Sequence, residues 1–129
     1  MQIKLCGKQY QAKFNLSAMR KFKSSRDKCL YSLVFRYLVA YDSLDKITAL
    51  GFAQLTQLVD FDDALEAFYA VISEVETIDK AEIEDAMLRV GFLPCTDEDS
   101  EWKEPYLQVF AQLCADINKQ LKEAPKPKK

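Results

Sequence analysis

The stretch 28-KCLYSLVFRYLVAY-41 sets the terms for the whole chain. Leu30, Leu33, Val34, Tyr37, Leu38 and Tyr41 recur at i, i+3, i+4, i+7, i+8 and i+11. At about 100° per residue that spacing gathers them on one face of a helix, which is expected to meet the core. Tyr31, Phe35 and Val39 form a second apolar stripe beside the first, leaving a narrow sector around Ser32 and Arg36 for water. A helix apolar over most of its girth wants two neighbours, and the second is either more of the same core or another molecule.

Before this stretch lies a hairpin pattern. Apolar and polar residues alternate in QIKLC and again in QYQAKF, and Gly7-Lys8 between them fits a two-residue turn with glycine first. Pairing Cys6 with Gln9 sets Leu5 opposite Tyr10, Ile3 opposite Ala12 and Met1 opposite Phe14 on one side. A lone hairpin is marginal in water, so its apolar face needs helices beneath it. Asn15 is placed to cap a first helix, LSAMRKFKSS, with Leu16, Met19 and Phe22 facing one way and Ser24 and Ser25 ending it.

After Tyr41, Asp42, Ser43 and Asp45 break the pattern, and a brief helix is expected over 52–59. Asp60 with Asp63 resembles a capping box opening DALEAFYAVISEV, in which Leu65, Phe68, Tyr69 and Ile72 share a face. A second box, Asp79 with Glu82, opens KAEIEDAMLRV, and Gly91 stands where a left-handed cap belongs. CTDEDSEWKEP reads as an acidic loop. Pro105 suits the first turn of a last helix reaching Leu121, with Tyr106, Phe110, Leu113, Cys114, Ile117 and Leu121 as its stripe. The fold class is therefore mainly α: an N-terminal two-stranded β-hairpin packed on a bundle of about five or six helices. Residues 1–122 form one domain, and 123–129, rich in proline and lysine, form a disordered basic tail.

With 129 residues the chain is long enough to bury about two thirds of the surface its unfolded form exposes. It is 49% hydrophobic and 29% charged, and no apolar run approaches the ~20 residues of a membrane span. MQIKLCGK lacks the apolar core of a signal peptide, so the protein is expected in the cytoplasm where it is made. Cys6, Cys29, Cys95 and Cys114 are scattered without a C-x-x-C pair, and read as small buried thiols rather than zinc ligands. The absence of histidine removes the commonest general base and the usual partner of a Ser or Cys nucleophile. The acidic segments lack both the calcium-loop pattern and any phosphate-cradling glycine motif. No enzyme activity, metal or cofactor is expected.

Charge is unevenly spread. Residues 1–41 sum to +8, residues 42–104 to −13 and the remainder to +3. Such poles fit head-to-tail attraction between subunits, separate patches for separate partners, or faces that meet within the fold. A nucleic-acid-binding regulator would use the basic third, though it has no recognisable turn and recognition helix. An acidic inhibitor that mimics nucleic acid would use the pole over 42–104.

The opening IKLCGKQYQAKFNLSAMRKF, followed by FDDALEAFYAVI and IDKAEIEDAMLRVG, resembles the tail assembly chaperones of long, non-contractile-tailed (lambda-like) bacteriophages. In that family a hairpin of the form I-x-I-x-G-K-x-Y-x-x-x-F leads to a helical body, and a segment s-x-e-e-I-E-D-x-(x)4-G comes late. Ile3, Gly7, Lys8, Tyr10, Phe14, Ile83, Glu84, Asp85 and Gly91 match these positions. The resemblance implies a protein of the host cell cytoplasm that coats the aggregation-prone tape measure protein during tail assembly and is absent from the finished virion. It also implies a longer product, made by ribosomal frameshifting, whose extension recruits tail tube protein; PKPKK is compatible with a slippery run of adenines. Holding by several copies, with weak contacts strengthened by multivalency, would be the mechanism. Tyr31, Phe35, Val39, Trp102 and Tyr106 are the candidate partner-binding residues, with membrane and nucleic acid not expected as partners and a homo-oligomer open.

Overall fold

The computed structural model describes residues 1–5, 8–42, 57–90 and 106–123. Among them, strands β1 (Gln2–Leu5) and β2 (Lys8–Gln11) precede five helices: α1 (Leu16–Arg26), α2 (Leu30–Asp42), α3 (Phe61–Ile72), α4 (Lys80–Val90) and α5 (Tyr106–Glu123). The protein is mainly helical with an N-terminal hairpin, in agreement with the sequence. No helix among the described residues is long and apolar enough to cross a membrane.

The hairpin buries the expected residues in a different register. Ile3, Leu5, Tyr10, Ala12 and Phe14 all face the core. However, Ile3 pairs with Tyr10 and Leu5 with Lys8, two residues away from the pairing that glycine-first turn geometry predicts. A slip of two keeps every side chain on its own face, so hydrophobic alternation is blind to it. Backbone ties fix the register instead. Met1 and Ala12 exchange both of their hydrogen bonds. The Gln11 amide donates to the Glu76 carboxylate, and the Lys13 amide donates to the Val71 carbonyl at the end of α3 at 2.9 Å. The turn at Gly7 lies outside the described residues.

Helix α1 is capped as the sequence predicts, the Asn15 side chain accepting from the Ala18 amide at 2.9 Å. It runs through Ser24 and Ser25 to Arg26, where Asp27 takes the left-handed conformation (φ 55°) and donates its amide to the Lys23 carbonyl. Its buried residues are Ala18 and Phe22, with Met19 partly covered. Leu16 is exposed, contrary to expectation, because it lies about 120° round the helix from Phe22.

The first stripe of α2 meets the core. Leu30, Leu33, Val34 and Tyr37 are buried, and Leu38 and Tyr41 are half-buried against them. The helix packs on α5, where the Tyr37 ring meets Phe110 edge-on at 4.8 Å. The most enclosed element, however, is α3. It buries Asp63, Ala64, Leu65, Ala67, Phe68, Ala70, Val71 and Ile72, and packs against α1, α4 and α5. Small Ala64, Ala67 and Ala70 leave room for close neighbours, so the fold is centred on α3 rather than on the 28–41 stretch.

Several expectations concern residues outside the described set: the body of the helix over 52–59, the Gly91 cap, the acidic loop, Cys6, Cys95 and residues 124–129. Gln57 and Leu58 are helical, and Val59 is buried. Cys114 is a buried thiol as predicted, and burial pushes its ionisation well up. Cys29 is exposed and corrects the prediction, because it stands just before α2, where its carbonyl accepts the Leu33 amide.

Candidate partner-binding face

With the buried face of α2 committed to α5, the other side of the same helix faces solvent. Tyr31 is 37% exposed, Phe35 39% and Val39 70%. They lie at i, i+4 and i+8, one above another, and the Tyr31 and Phe35 rings tilt together with centroids 4.7 Å apart. Thus, of the two roles open to this stripe, the chain's own core does not take it up. Single exposed apolar residues are common on protein surfaces, whereas three in line on one helix form a surface that a second polypeptide can cover.

The other two candidates fare differently. Trp102 lies outside the described residues. Tyr106 is buried, its ring edge-on to Phe61 at 5.6 Å, and burial raises the ionisation of its hydroxyl above the ordinary value. It packs at the start of α5 as part of the core, which removes it from the exposed face.

The charge poles meet inside the molecule. Lys8 pairs with Glu82 at 3.2 Å, Lys21 pairs with Glu74, and Arg26 and Lys28 hold Asp63 at 2.7 and 2.8 Å. In each case a base from the first third neutralises an acid from the middle segment. The acids around the α3–α4 turn act as straps. Glu74 also accepts from Ser17 at 3.1 Å, and Lys21 holds it below the usual carboxylate range. Glu82 accepts from the Tyr10 hydroxyl at 3.0 Å. Its carboxylate thereby fastens α4 to the hairpin, where the sequence reads it as half of a capping box.

Asp63 is the functional-looking carboxylate that sequence reasoning assigns to a local role. Its neighbour Asp60 does cap α3, accepting from the Asp63 amide at 2.8 Å. The Asp63 side chain, 1% exposed, turns to Arg26 and Lys28 instead. Burial alone would raise its ionisation, but the hydrogen bonds and charges of Lys28 and Arg26 together outweigh burial and hold it low. Both oxygens are occupied, so the arrangement is a clamp on the α1–α2 corner rather than an acid–base site. An open cleft of about 460 Å³ between α1, α3 and the start of α4 is lined by Arg20, Lys21, Ser24, Glu66 and Lys80, among others. Lys80 is held there by Glu66 at 2.6 Å. Among the described residues no group of three or more potential metal ligands comes together.

The chain matches no protein-family model, no curated protein and no solved structure.

Proposed function

We propose that the chain is a bacteriophage tail assembly chaperone that binds the tape measure protein and keeps it soluble while the tail tube is built. The observation that carries this reading is the exposed Tyr31–Phe35–Val39 stripe on a helix whose opposite face is buried. It provides apolar surface for a helical client without requiring the domain to open. The sequence resemblance gains support from where its two halves lie. Lys8 and Tyr10 of the hairpin pattern both contact Glu82, immediately before Ile83, Glu84 and Asp85 of the second pattern. One unit of packing therefore joins segments more than 70 residues apart.

In this reading the protein holds its client in the host cytoplasm, has no catalytic step and needs no cofactor. Several copies act together through weak contacts on a long client. A longer frameshifted product would bring tail tube protein to the same complex, and its genetic mark would be a slippery heptamer within the codons for residues 126–129 opening into a long overlapping frame. The pairing of Lys8, Lys21, Arg26 and Lys28 with acids of the middle segment bears against the regulator, because these bases of the first third are engaged internally.

The test is co-expression with the tape measure protein encoded beside this chain. The reading predicts a larger soluble fraction of the tape measure and its co-purification with the chain. An insoluble tape measure, unchanged by the chain, would contradict it.

A further inference from the structure

The cleft between α1, α3 and the start of α4 has one cation to spare. Helix α1 lines it with Ser17, Arg20, Lys21, Ser24 and Ser25, at i, i+3, i+4, i+7 and i+8, which is a single stripe along the helix. Two of the three bases in the cleft are neutralised within the protein. Lys80 is held by Glu66 at 2.6 Å and stands over the Tyr69 ring, 5.0 Å from its centroid. Lys21 pairs with Glu74 and donates to the Ser73 hydroxyl at 3.0 Å. Arg20 is exposed and has no ion-pair partner among the described residues. One turn along the same stripe, the Ser24 hydroxyl has no hydrogen-bond partner among them either.

This charge balance decides which anion fits. One guanidinium, with its planar fork of N–H donors, matches one carboxylate in charge and in shape. A phosphomonoester carries about −1.5 to −2 at neutral pH and would meet one free cation with Glu66 and Glu74 close behind it. The shape of the cleft decides what carries the carboxylate. From Ser17 to Ser25 the stripe runs about 12 Å, the length of three or four extended residues. The cleft, about 460 Å³, is open, so a chain laid in it can continue at both ends, and half-buried Tyr69 supplies an apolar wall.

We propose that this cleft binds a short acidic segment of a partner polypeptide, one aspartate or glutamate carboxylate resting on Arg20 with the Ser24 hydroxyl donating to it. The contact is separate from the α2 face and does not rest on the chaperone reading.

The test is a nuclear magnetic resonance titration of the full-length chain with blocked tetrapeptides. They share a phenylalanine and differ at the neighbouring position, which is glutamate, glutamine or phosphoserine. The amide signals of Arg20, Ser24 and Tyr69 should shift, and the glutamate peptide should bind about fivefold more tightly than the glutamine peptide at low salt. Arg20→Gln should abolish that preference, and Arg20→Lys should keep part of it, the charge without the fork. Lys119→Gln, an exposed change on α5 outside the cleft, should leave it as it is. Thermal melts close to wild type establish that each variant is folded, as expected for exposed positions.

Equal affinity for the glutamate and glutamine peptides, no binding of either, or a preference that survives Arg20→Gln overturns the proposal. A loss as large in Lys119→Gln as in Arg20→Gln also overturns it, since attraction to surface charge in general would then explain the binding. Tighter binding of the phosphoserine peptide than of the glutamate peptide overturns the choice of carboxylate and marks a site for a more highly charged anion.

Discussion

At Asp63, burial favours the protonated carboxyl while Lys28 and Arg26 favour the charged one, and the cations win. A carboxyl whose folded value lies below its ordinary 3.8 binds protons more readily in the unfolded chain. Its stabilising contribution is therefore full above that value and is lost as pH falls through the lower folded one. Asp63→Asn should cost about 3 kcal/mol in urea denaturation at neutral pH, because it leaves two cations facing a neutral amide. The gap between variant and wild type should narrow as the pH drops below 3.8, and a constant gap would contradict the assignment. This clamp was hard to read in the sequence because local spacing offers Asp63 to Asp60, three residues away. Arg26 and Lys28, 37 and 35 residues upstream, become its partners only when α1 packs on α3.

The elements themselves were far more legible. Helical periodicity located α2, α3, α4 and α5, and Asn15 and Asp60 are the caps that the sequence predicts. Two kinds of information were missing. Hydrophobic alternation fixes which residues of a hairpin face inward but tolerates a slip of two, so Ile3, Leu5 and Tyr10 were placed on the correct side in the wrong pairs. The structure predicts close Hα–Hα contacts for Gln2 with Gln11 and for Lys4 with Gln9, the pairs that do not exchange hydrogen bonds. Nuclear Overhauser spectra showing Leu5 with Tyr10 and Ile3 with Ala12 instead would restore the other register. Likewise, the amphipathic stripe of α3 was visible, but the burial of its alanines depends on neighbours from three other helices. Ala67→Leu should destabilise the protein by about 1–3 kcal/mol through overpacking. A thermal melt unchanged by that substitution would mean that α3 is less enclosed than Ala67, at 0% exposure, indicates.

Across the molecule, one buried cluster runs from Ile3 in the hairpin to Ile117 in α5, and ion pairs fasten its outer elements. The uneven charge of the sequence thus has a structural outlet, with basic β2 and α1 strapped to the acidic α3–α4 region. A labelled DNA duplex should accordingly not shift with the chain at about 0.15 M salt, while a steeply salt-dependent shift would return the basic third to a nucleic-acid role. Among the described residues, besides the separate Leu16, Leu58, Val75 and Leu88, the packing leaves the second face of α2 outside the core. Its exposure could not be read from periodicity, because Tyr31, Phe35 and Val39 are as apolar as the residues that are buried beside them.

The most direct measurement compares Phe35→Asp with wild type in thermal stability and in capture of co-expressed tape measure protein. The account predicts a melt close to wild type, since exposed substitutions usually change stability by no more than about 0.5 kcal/mol, together with a clear loss of soluble client. A variant that fails to fold, or that keeps the client soluble as well as wild type does, would contradict the claim that this face is built for a partner.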